Sequence, residues 1–574
     1  MTDRKIGVYI CYCGGNISDY VEVEKVKEAI SHDPGVVVAK TTMFACSDAA
    51  QEEMIEDIKA NELDGLVVAS CSPKLHLFTF RATAERAGLN PYQYVQVNLR
   101  EQDSWAHQHE KKEATEKGIR LVRAGIARCS LTEPLATMRI ETAPRVLVIG
   151  AGVAGLRAAL SLADMGLSVF VIEKEAEVGG WTGKFGRMFP SDRKGAELIE
   201  NLAAETRQRD NIKIYTRAEL IEKGGSIGDF SVVIRVDGKE TISLNVGTII
   251  VATGFDAYQP AEGEFGYGSE RVMTLPEFKA LLDGSNGSLS ISGRKIKDIA
   301  YIYCVGSRQS GEIENPHRYC SRYCCTAAVH TALEVDRKGG AVHQFHLYRD
   351  MRTYGRYELL YNQARNQGSI FIKHPDDQAP KVEQAGDKVR IGVKDMLTGG
   401  DELDIEVDLV VLATGMVPRI NDDLNDILKL PIGKDGFFNE IHPKLRPVET
   451  VIDGVFIAGA SQGPKTMAES VASSMAAVAK SAALLMKGYV DLEPLIATVD
   501  PERCQWCDEC TKACPYGAVE KTSHDNKEVA RIIPSLCKGG GACVPVCPVD
   551  AIDVEGYTDF QITAMIDSLI KEVS

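Results

Sequence analysis

The sequence lacks any run of about 18 consecutive apolar residues, the length that a membrane-spanning helix needs. Its first residues, MTDRK, precede only a short strand-like run, so we expect no signal peptide. Positive charge is scarce, because 65 Lys and Arg stand against 81 Asp and Glu and give a formal net charge of −16. This balance argues against nucleic acid as a main partner. We therefore expect a soluble, cytoplasmic protein.

Cysteine, in contrast, is abundant. A reducing compartment disfavours disulfides, so the 16 cysteines of this 574-residue chain indicate metal or redox chemistry. They form groups of four, four and seven. The remaining one, Cys129, is predicted to be a buried structural thiol on a helix. The length of the chain allows three or four domains.

A dinucleotide-binding pattern begins with a buried-strand run over Arg145–Ile149 and continues into G-x-G-x-x-G at 150–155. A helical pattern follows over Leu156–Met165, and a second strand over Ser168–Glu173 ends in an acid. Because strand, turn, helix and acid occur in this order, we predict a dinucleotide site rather than a glycine-rich turn without a ligand.

The three glycines of this turn and the acid have separate expected roles. Gly150 permits the tight turn, Gly152 lets the backbone approach a pyrophosphate, and Gly155 lets the helix pack closely on the strand. The N-terminus of the helix faces the phosphates. Glu173 is placed to accept hydrogen bonds from a ribose.

Later segments resemble flavoproteins with two dinucleotide domains, the superfamily of thioredoxin reductase and the small subunit of glutamate synthase. The resemblance rests on V-G-G-W at 178–181 and on strands ending in A-T-G, Thr248–Gly254 and Leu409–Gly415. Val455–Ala460 stands where that superfamily closes its FAD site, and Ile212–Leu220 resembles the strand that contacts the adenine. The resemblance implies FAD rather than NAD.

The N-terminal 140 residues read as a small α/β domain with one cysteine group. Strand patterns at Ile6–Cys11, Val36–Thr41, Gly65–Ala69 and Tyr94–Val97 alternate with helical patterns at Glu22–Ser31, Ala49–Ala60 and Trp105–Ala127. Thiols follow three of the strands: Cys11 and Cys13, Cys46, and Cys71. Parallel strands end at one edge of a sheet, so these four thiols can converge on zinc or on an iron–sulfur cluster.

A second cysteine group follows the strand pattern that starts at Asp298. Cys304-Val305-Gly306 stands where related reductases carry a second G-x-G-x-x-G, so we expect no conventional nicotinamide site. Cys320, Cys324 and Cys325 complete a set of four thiols whose spacing does not fit a zinc finger. Inert buried thiols and a redox dithiol remain alternatives. Adjacent cysteines make strained disulfides, which favours a cluster.

The C-terminal cysteines have the spacing of a bacterial two-cluster ferredoxin. Since the fourth cysteine of each run binds the other cluster, one set is Cys504, Cys507, Cys510 and Cys547. The other set has only Cys514, Cys537 and Cys543, because Gly540 replaces its second cysteine. That site is predicted to hold [3Fe–4S], to hold [4Fe–4S] with a non-cysteine ligand, or to be empty. The pattern Thr558–Val573 predicts a closing amphipathic helix that could dock a partner.

Taken together, these segments resemble the A-type component of heterodisulfide reductase over nearly the whole chain. The motifs are C-Y-C-G-G-N, F-A-C-S-D and C-S-P-K-L-H in the N-terminal domain. C-V-G-S-R, Y-C-S-R-Y-C-C, Y-R-D-M-R-T-Y-G-R-Y-E and A-G-A-S-Q-G-P-K follow in the core. The family resemblance implies that the first two cysteine groups hold [4Fe–4S] clusters. It implies FAD contacts from Gly150, Gly152, Val153, Ala154, Gly155, Glu173, Lys174, Gly180, Trp181, Leu220, Ala252, Thr253, Gly254, Gly459, Gln462 and Gly463.

Two departures from the family pattern concern how the flavin works. The stretch Asp229–Lys297 contains no cysteine, so the ferredoxin insert of many archaeal members is absent. His330 stands where many electron-bifurcating relatives are expected to have Lys; it can donate to the flavin or simply pack on its helix. Lys465 ends a segment, 462–465, that resembles the one closing over the flavin ring and precedes a helical pattern over Met467–Leu485. It is predicted either to stabilise reduced flavin or to be a surface lysine.

The predicted fold class is α/β, with a thioredoxin-reductase-like core of two dinucleotide domains, an N-terminal α/β iron–sulfur domain and a C-terminal α+β ferredoxin domain. The N-terminal domain is expected to span 1–140 and the ferredoxin domain 491–574. The FAD domain is expected in two parts, 141–297 and 405–490, with the second Rossmann-like domain, 298–404, between them.

We predict an oxidoreductase subunit that moves electrons between FAD and its clusters, without a catalytic triad. Its FAD either bifurcates electrons or serves a non-bifurcating relay in a sulfur-metabolism, quinone-linked or aromatic-ring-reducing complex. A structural hub and a self-standing NAD(P)H reductase are further alternatives. The resemblance implies partners of the heterodisulfide-reductase B and C type and an electron-input subunit, in a hetero-oligomer that could contain two copies of this core chain.

Overall fold

The computed structural model describes residues 4–285, 289–311, 315–338 and 341–570. The chain forms two compact units, of which the first combines Met1–Arg139 with Asp491–Ser574 and the second is Ile140–Val490. The predicted N-terminal and ferredoxin domains thus share one unit, and the predicted FAD and Rossmann-like domains share the other. Within the described ranges, no helix combines the length and the apolar composition that crossing a membrane requires.

The N-terminal part of the first unit is a parallel sheet with the strand order second, first, third, fourth. The first and third strands are wholly buried, because separate apolar clusters cover the two faces of the sheet. The strands are Ile6–Cys11, Val36–Thr42, Gly65–Ser70 and Tyr94–Asn98; the helices are Val23–Ile30, Asp48–Asn61, Pro73–Ala87 and Lys111–Cys129.

Two of these helices differ from the sequence prediction. The helix predicted over Trp105–Ala127 begins only at Lys111, because a π-type turn over Arg100–Ser104 precedes it and redirects the chain. The amides of Ser104 and Trp105 close that turn by donating to the carbonyls of Leu99 and Arg100, each at 2.9 Å. The helix Pro73–Ala87 is absent from the prediction, although Ser72 caps it and proline opens it.

The C-terminal part of the first unit is a small α+β fold. Its helix Asp559–Ile570, called the terminal helix below, lies against Lys111–Cys129. The predicted continuation of this helix from 571 to Val573 falls outside the described residues. The antiparallel strand pairs are Ala497–Val499 with Ile552–Val554 and Val519–His524 with Lys527–Ile532; the short helix is Glu509–Ala513.

The second unit contains two five-stranded parallel sheets, each with the arrangement of a dinucleotide-binding fold. From edge to edge, the first consists of Ile212–Tyr215, Ser168–Ile172, Arg145–Ile149, Thr248–Val251 and Val455–Ile457. The second consists of Ile370–Lys373, His343–Tyr348, Asp298–Val305, Leu409–Thr414 and Val272–Thr274. Leu409–Thr414 therefore belongs to the second sheet, although the predicted boundary at 405 assigns it to the FAD domain.

Antiparallel strands complete both halves of the second unit. The predicted strand Ile212–Leu220 is two strands, because the chain turns at Arg217, whose φ is +47°. One meander consists of Ala218–Ser226, Asp229–Val236 and Glu240–Val246; the other consists of Lys381–Ala385, Lys388–Asp395 and Asp401–Val407.

The helices of the second unit connect and cover these sheets. The helix after the first glycine turn begins at Val153, three residues before its predicted start, since Gly152 already has extended backbone. Met467–Leu485 has its predicted bounds and a capping box formed by Thr466 and Glu469. The helices are Val153–Asp164, Gly180–Gly183, Gly195–Arg207, Leu275–Gly284, Cys324–Arg337, Glu358–Asn366, Asp422–Leu428 and Met467–Leu485.

Short elements occupy the remaining turns. The short strands are Met138–Glu141, Phe255–Ala257, Ser290–Ile291, Arg294–Lys295, Met416–Pro418 and Tyr489–Leu492. The 3₁₀ turns are Cys13–Gly15, Glu264–Gly266, Gly355–Tyr357, Met396–Thr398 and Gly459–Gln462.

Candidate functional site

A cavity of about 1340 Å³ lies in the second unit, at the carboxyl ends of the first sheet. Gly150 begins the turn there with φ of +103°, which only glycine adopts without strain. A Cβ on Gly155 would lie 1.9 Å from the Gly150 carbonyl oxygen, so helix and strand touch at this point. A Cβ on Gly152 would meet nothing within 4 Å, which leaves its backbone open to a ligand.

All but three of the residues predicted to contact FAD line this cavity. They are Gly150, Gly152, Val153, Ala154, Glu173, Lys174, Gly180, Trp181, Leu220, Ala252, Thr253, Gly254 and Gly459. Gly155 lies behind the turn, and Gln462 and Gly463 lie outside the cavity wall. The Gln462 amide instead donates to the Pro447 carbonyl at 2.7 Å and accepts from the Ser473 hydroxyl.

The acid after the second strand is fixed by the backbone around it. One Glu173 oxygen accepts from the Ala151 amide at 2.7 Å, and the other accepts from the Glu175 amide at 3.0 Å. A carboxylate oxygen has a second lone pair, so Glu173 can still receive ribose hydroxyls from the cavity. The cavity exceeds the roughly 300–1,000 Å³ of pockets for drug-sized ligands and so has room for a dinucleotide.

The helix Cys324–Arg337, called the cluster helix below, joins this cavity to the second cysteine group. Its N-terminal turn carries Cys324 and Cys325, both buried. Tyr323, just before the helix, and His330 within it line the cavity. One rigid helix therefore positions two thiols and part of the cavity wall.

His330 is buried and is hydrogen-bonded to an aspartate at the edge of the cavity wall. Its Nε2 lies 2.8 Å from Oδ1 of Asp192, and Arg337 binds the same carboxylate. Burial lowers the pKa of His330, and the Asp192 hydrogen bond only partly offsets this effect. The Arg337 guanidinium, through its hydrogen bond, holds the pKa of Asp192 at about 2. His330 is therefore neutral at neutral pH and adds no positive charge to the cavity.

Lys465 and Lys279 bring cationic groups to the cavity wall. Burial lowers the pKa of Lys465, and none of the described residues forms a hydrogen bond or ion pair with its ammonium. It is thus available to a ligand. Lys279 is buried and paired with Glu334 of the cluster helix.

Arginine side chains surround the second cysteine group. Burial raises the pKa of Cys304, and the charges of Arg349 and Arg308 oppose this effect. A hydrogen bond from Cys324 lowers the pKa of Cys325, and Arg352 and Arg308 add to the effect. Arg349 is itself fixed by donating to the carbonyls of Arg308 and Ser307 at 2.8 and 3.0 Å. Such cations favour thiolates and a negatively charged cluster.

The four N-terminal thiols come together at one edge of the first unit's sheet. Burial raises the pKa of Cys11, and Cys13 and Cys46 are close enough to raise it further. Burial also raises the pKa of Cys71, and the neighbouring Cys13 adds to this effect. Arg100 donates to the Cys13 sulfur at 3.5 Å, and the amides of Cys13 and Ala45 donate to the Cys11 sulfur at 3.2 and 3.3 Å.

The spacing of the thiols can be compared with the two kinds of metal site left open by the sequence. In tetrahedral zinc sites with bonds of about 2.3 Å, the sulfur atoms lie about 3.8 Å apart. Among the described residues, no three cysteine sulfur atoms lie within 4.8 Å of one another. The groups therefore fit a larger iron–sulfur cluster, whose ligands bind separate corners, better than a single zinc ion.

The ferredoxin thiols lie close together in the C-terminal fold, and six of the seven lie in or against one apolar cluster. Burial raises the pKa of Cys510, with Cys507 and Cys504 as its neighbouring thiols. Burial also raises the pKa of Cys543, whose strongest thiol neighbours are Cys537 and Cys514. Backbone amides donate to one or more sulfur atoms of each set. The donor and acceptor pairs are Ala530 to Cys504, Ala551 to Cys547, Ala518 to Cys514 and Ala497 to Cys537, at 3.3, 3.2, 3.4 and 3.4 Å.

Some cavity residues are absent from the sequence prediction. Lys279 and Arg419 both line the cavity, and Arg419 donates to the carbonyls of Thr253 and Phe255. Neither residue lies in a glycine turn or a cysteine motif, so no local pattern marks them. Cys129 is fully buried, as predicted.

Two family models match parts of the chain. Residues 145–330 match the family model described as FAD dependent oxidoreductase, and residues 497–554 match the 4Fe-4S dicluster domain. A thioredoxin reductase structure from T. acidophilum is 19% identical, with a TM-score of 0.39, and the match covers 59% of this chain and 99% of that one.

Similar curated proteins extend over almost the whole chain. An A-type iron–sulfur component of the CoB–CoM heterodisulfide reductase of Methanopyrus kandleri is 36% identical, over 92% of both chains. The A-type component of the H(2):CoB-CoM heterodisulfide,ferredoxin reductase of Methanothermobacter marburgensis is 35% identical, over 92% of this chain and 93% of its own. The predicted flavoprotein core, its FAD and its [4Fe–4S] clusters are thereby confirmed. The chain is an oxidoreductase and belongs to the family of A-type heterodisulfide reductase components.

Proposed function

We propose that this chain is the electron-transfer subunit of a heterodisulfide-reductase-like complex, in which electrons pass between FAD and the iron–sulfur clusters. The cluster helix is the observation that carries this proposal. It presents Cys324 and Cys325 at its first turn and His330 at the wall of the cavity. Two redox groups bound at these places would be held at a fixed separation.

The chain's own residues bind and tune the two kinds of cofactor. When bound, FAD supplies two-electron chemistry, and each cluster exchanges single electrons. The glycine turn and Glu173 would hold the dinucleotide. Lys465, half-buried and without a partner among the described residues, would face anionic parts of the flavin. The ligands would be Cys11, Cys13, Cys46 and Cys71; Cys304, Cys320, Cys324 and Cys325; and the seven ferredoxin thiols.

A non-bifurcating relay is the form of electron transfer that the cavity favours. His330 is neutral and tied to Asp192, so the cluster-helix side of the flavin would lack the cation expected of many bifurcating relatives. A cation there would stabilise negatively charged flavin and alter its two one-electron potentials. Bifurcation remains the second candidate, because the M. marburgensis relative is named for two acceptors, a heterodisulfide and ferredoxin.

The partners would be catalytic chains of the B and C type and an electron-input subunit. The relatives are named as subunits, which supports a hetero-oligomeric complex. Cys46 is exposed at the N-terminal thiol group, so electrons could pass to a partner there.

An anaerobic redox titration of the purified protein tests the proposal. Flavin absorbance and cluster EPR signals are followed together. A relay predicts two resolved one-electron flavin transitions, each with a slope of about 59 mV per decade. One steep two-electron transition, with about 30 mV per decade, would contradict the relay and leave bifurcation as the candidate to test, because bifurcation requires crossed one-electron potentials. Full reduction of the flavin without any reducible cluster would contradict electron transfer altogether.

A further inference from the structure

The second half of the ferredoxin-type domain contains an incomplete set of thiols in an otherwise complete environment. Cys514 and Cys537 each receive a backbone hydrogen bond at 3.4 Å, and Cys543 is buried beside them. The complete set has matching donors, since Ala530 and Ala551 donate to Cys504 and Cys547. N–H donors to sulfur stabilise bound thiolate, so the second half retains the means to hold a cluster.

The position of the missing ligand is open. A Cβ on Gly540 would meet no atom within 4 Å, so a cysteine side chain would begin in open space here. Gly540 is exposed, and this corner is therefore accessible to water and ions. The flanking Gly539 and Gly541 have φ of +62° and +68°, the left-handed region that favours glycine.

We propose that Cys514, Cys537 and Cys543 bind a [3Fe–4S] cluster whose open corner at Gly540 takes up a fourth, exchangeable iron. One electron from a reductant such as dithionite would first reduce the oxidised three-iron cluster. The reduced cluster would then bind one Fe²⁺, with its sulfides and solvent as ligands, without further transfer of electrons. The domain would thus contain one permanent and one convertible cluster, in contrast to the two four-iron clusters of the matching family model.

This inference is independent of the direction or purpose of electron transfer. It requires only that the thiol runs bind clusters, and its readouts are spectra and iron content. If the relay proposal is wrong, the three-iron proposal still stands. If the three-iron proposal is wrong, the relay proposal still stands.

The experiment compares the full-length protein with Gly540→Cys and Gly540→Ala, all purified anaerobically and then oxidised with ferricyanide. Wild type and Gly540→Ala should show the EPR signal of an oxidised three-iron cluster at close to one spin per chain. Gly540→Cys should lose at least nine-tenths of this signal and gain one iron per chain. In wild type, dithionite with Fe²⁺ should abolish the signal, and a chelator with ferricyanide should restore it.

Three results would overturn the proposal. A wild type with no three-iron signal and the iron content of Gly540→Cys would mean that solvent or another group completes a stable four-iron cluster. A wild type with about four irons fewer than Gly540→Cys would mean that the site is empty. An equal three-iron signal in Gly540→Cys would mean that oxidative damage, rather than the missing thiol, produces it.

Discussion

The glycines of the first turn have different physical roles, and substitution can separate them. In Gly155→Ala the new methyl would lie 1.9 Å from a backbone oxygen, so helix and strand must move apart. We expect a loss of stability of about 3 kcal/mol or more. In Gly152→Ala the methyl meets no protein atom, so stability should change little while FAD affinity falls at least tenfold. Thermal unfolding and the ratio of FAD to protein after gel filtration measure the two effects.

Equal loss of stability in both glycine variants would contradict this division. So would a Gly152→Ala protein that retains a full complement of FAD through dilution, because the backbone would then not approach the ligand.

At the residue scale, the sequence predicts functional groups whose motifs have a characteristic local spacing. The glycine turn, Glu173 and the ferredoxin cysteines are recognisable because each motif needs its residues a few positions apart. Lys279 and Arg419 reach the cavity from distant segments, and their positions depend on how two sheets pack. No local spacing encodes that packing.

At the scale of elements, an ion pair connects the cluster helix to Leu275–Gly284. The side chains of Lys279 and Glu334 are only 10% and 4% exposed, so neither charge is well solvated alone. We predict that Lys279→Met destabilises the holoprotein by about 3 kcal/mol, because it leaves a buried carboxylate without its partner. Lys279→Met combined with Glu334→Leu should recover most of this loss, as measured by chemical denaturation. A double variant as unstable as the sum of both single variants would show that the pair is not coupled.

The π-type turn over Arg100–Ser104 places Asp103 in the interior of the first unit. Neither carboxylate oxygen has a hydrogen-bond partner among the described residues, and burial raises the pKa of Asp103 to about 7. The folded protein then keeps a proton that the unfolded chain releases above about pH 4. Stability contributed by this group should therefore fall as the pH rises from about 4 to 7.

Asp103→Asn tests this pH dependence, because the amide cannot ionise. Between pH 5 and pH 8 the wild type should lose about 2 kcal/mol more stability than the variant, read from thermal unfolding at each pH. Parallel curves for the two proteins would show that Asp103 is ionised in the fold throughout.

Element boundaries are predictable where a periodic pattern meets a cap. The strands Ile6–Cys11 and Arg145–Ile149 and the helix Met467–Leu485 have their predicted bounds for this reason. The predicted start at Trp105 is wrong, because apolar spacing alone cannot distinguish an α-helix from a π-type turn that leads into it. Likewise, Arg217 interrupts the predicted strand because it adopts a left-handed conformation. Arginine as a residue type does not predict this conformation.

At the scale of the whole molecule, the two ends of the chain form one unit. Gln561 of the terminal helix donates to the Leu131 carbonyl at 2.9 Å, and Arg128 donates to the Gly556 carbonyl at 2.8 Å. Arg81 also forms a salt bridge with Glu493 at 3.0 Å. These contacts hold the N-terminal segment without using its peptide connection to residue 140.

A protease site placed at the exposed residues 136–137 tests this arrangement. After cleavage, we expect the N-terminal fragment to co-elute with the rest of the chain on native gel filtration, with its iron retained. A variant lacking the terminal helix provides the control and should release the fragment. Release from the otherwise intact protein would contradict the observed unit.

This joining of chain ends is not predictable from the sequence. Each segment reads as a separate domain, because its motifs are complete by themselves: four thiols after strands in one, a ferredoxin repeat in the other. The pairing depends on surface complementarity between two helices about 430 residues apart.

The two segments of the first unit are translated at different times. A ribosome adds roughly 5–20 residues per second, so the helix Lys111–Cys129 emerges tens of seconds before the terminal helix that lies against it. The flavin-binding unit, Ile140–Val490, is complete in the interval. The N-terminal thiols are therefore translated well before the segment that completes their unit. Loss of the terminal helix would therefore uncover a helix in the segment that is translated first.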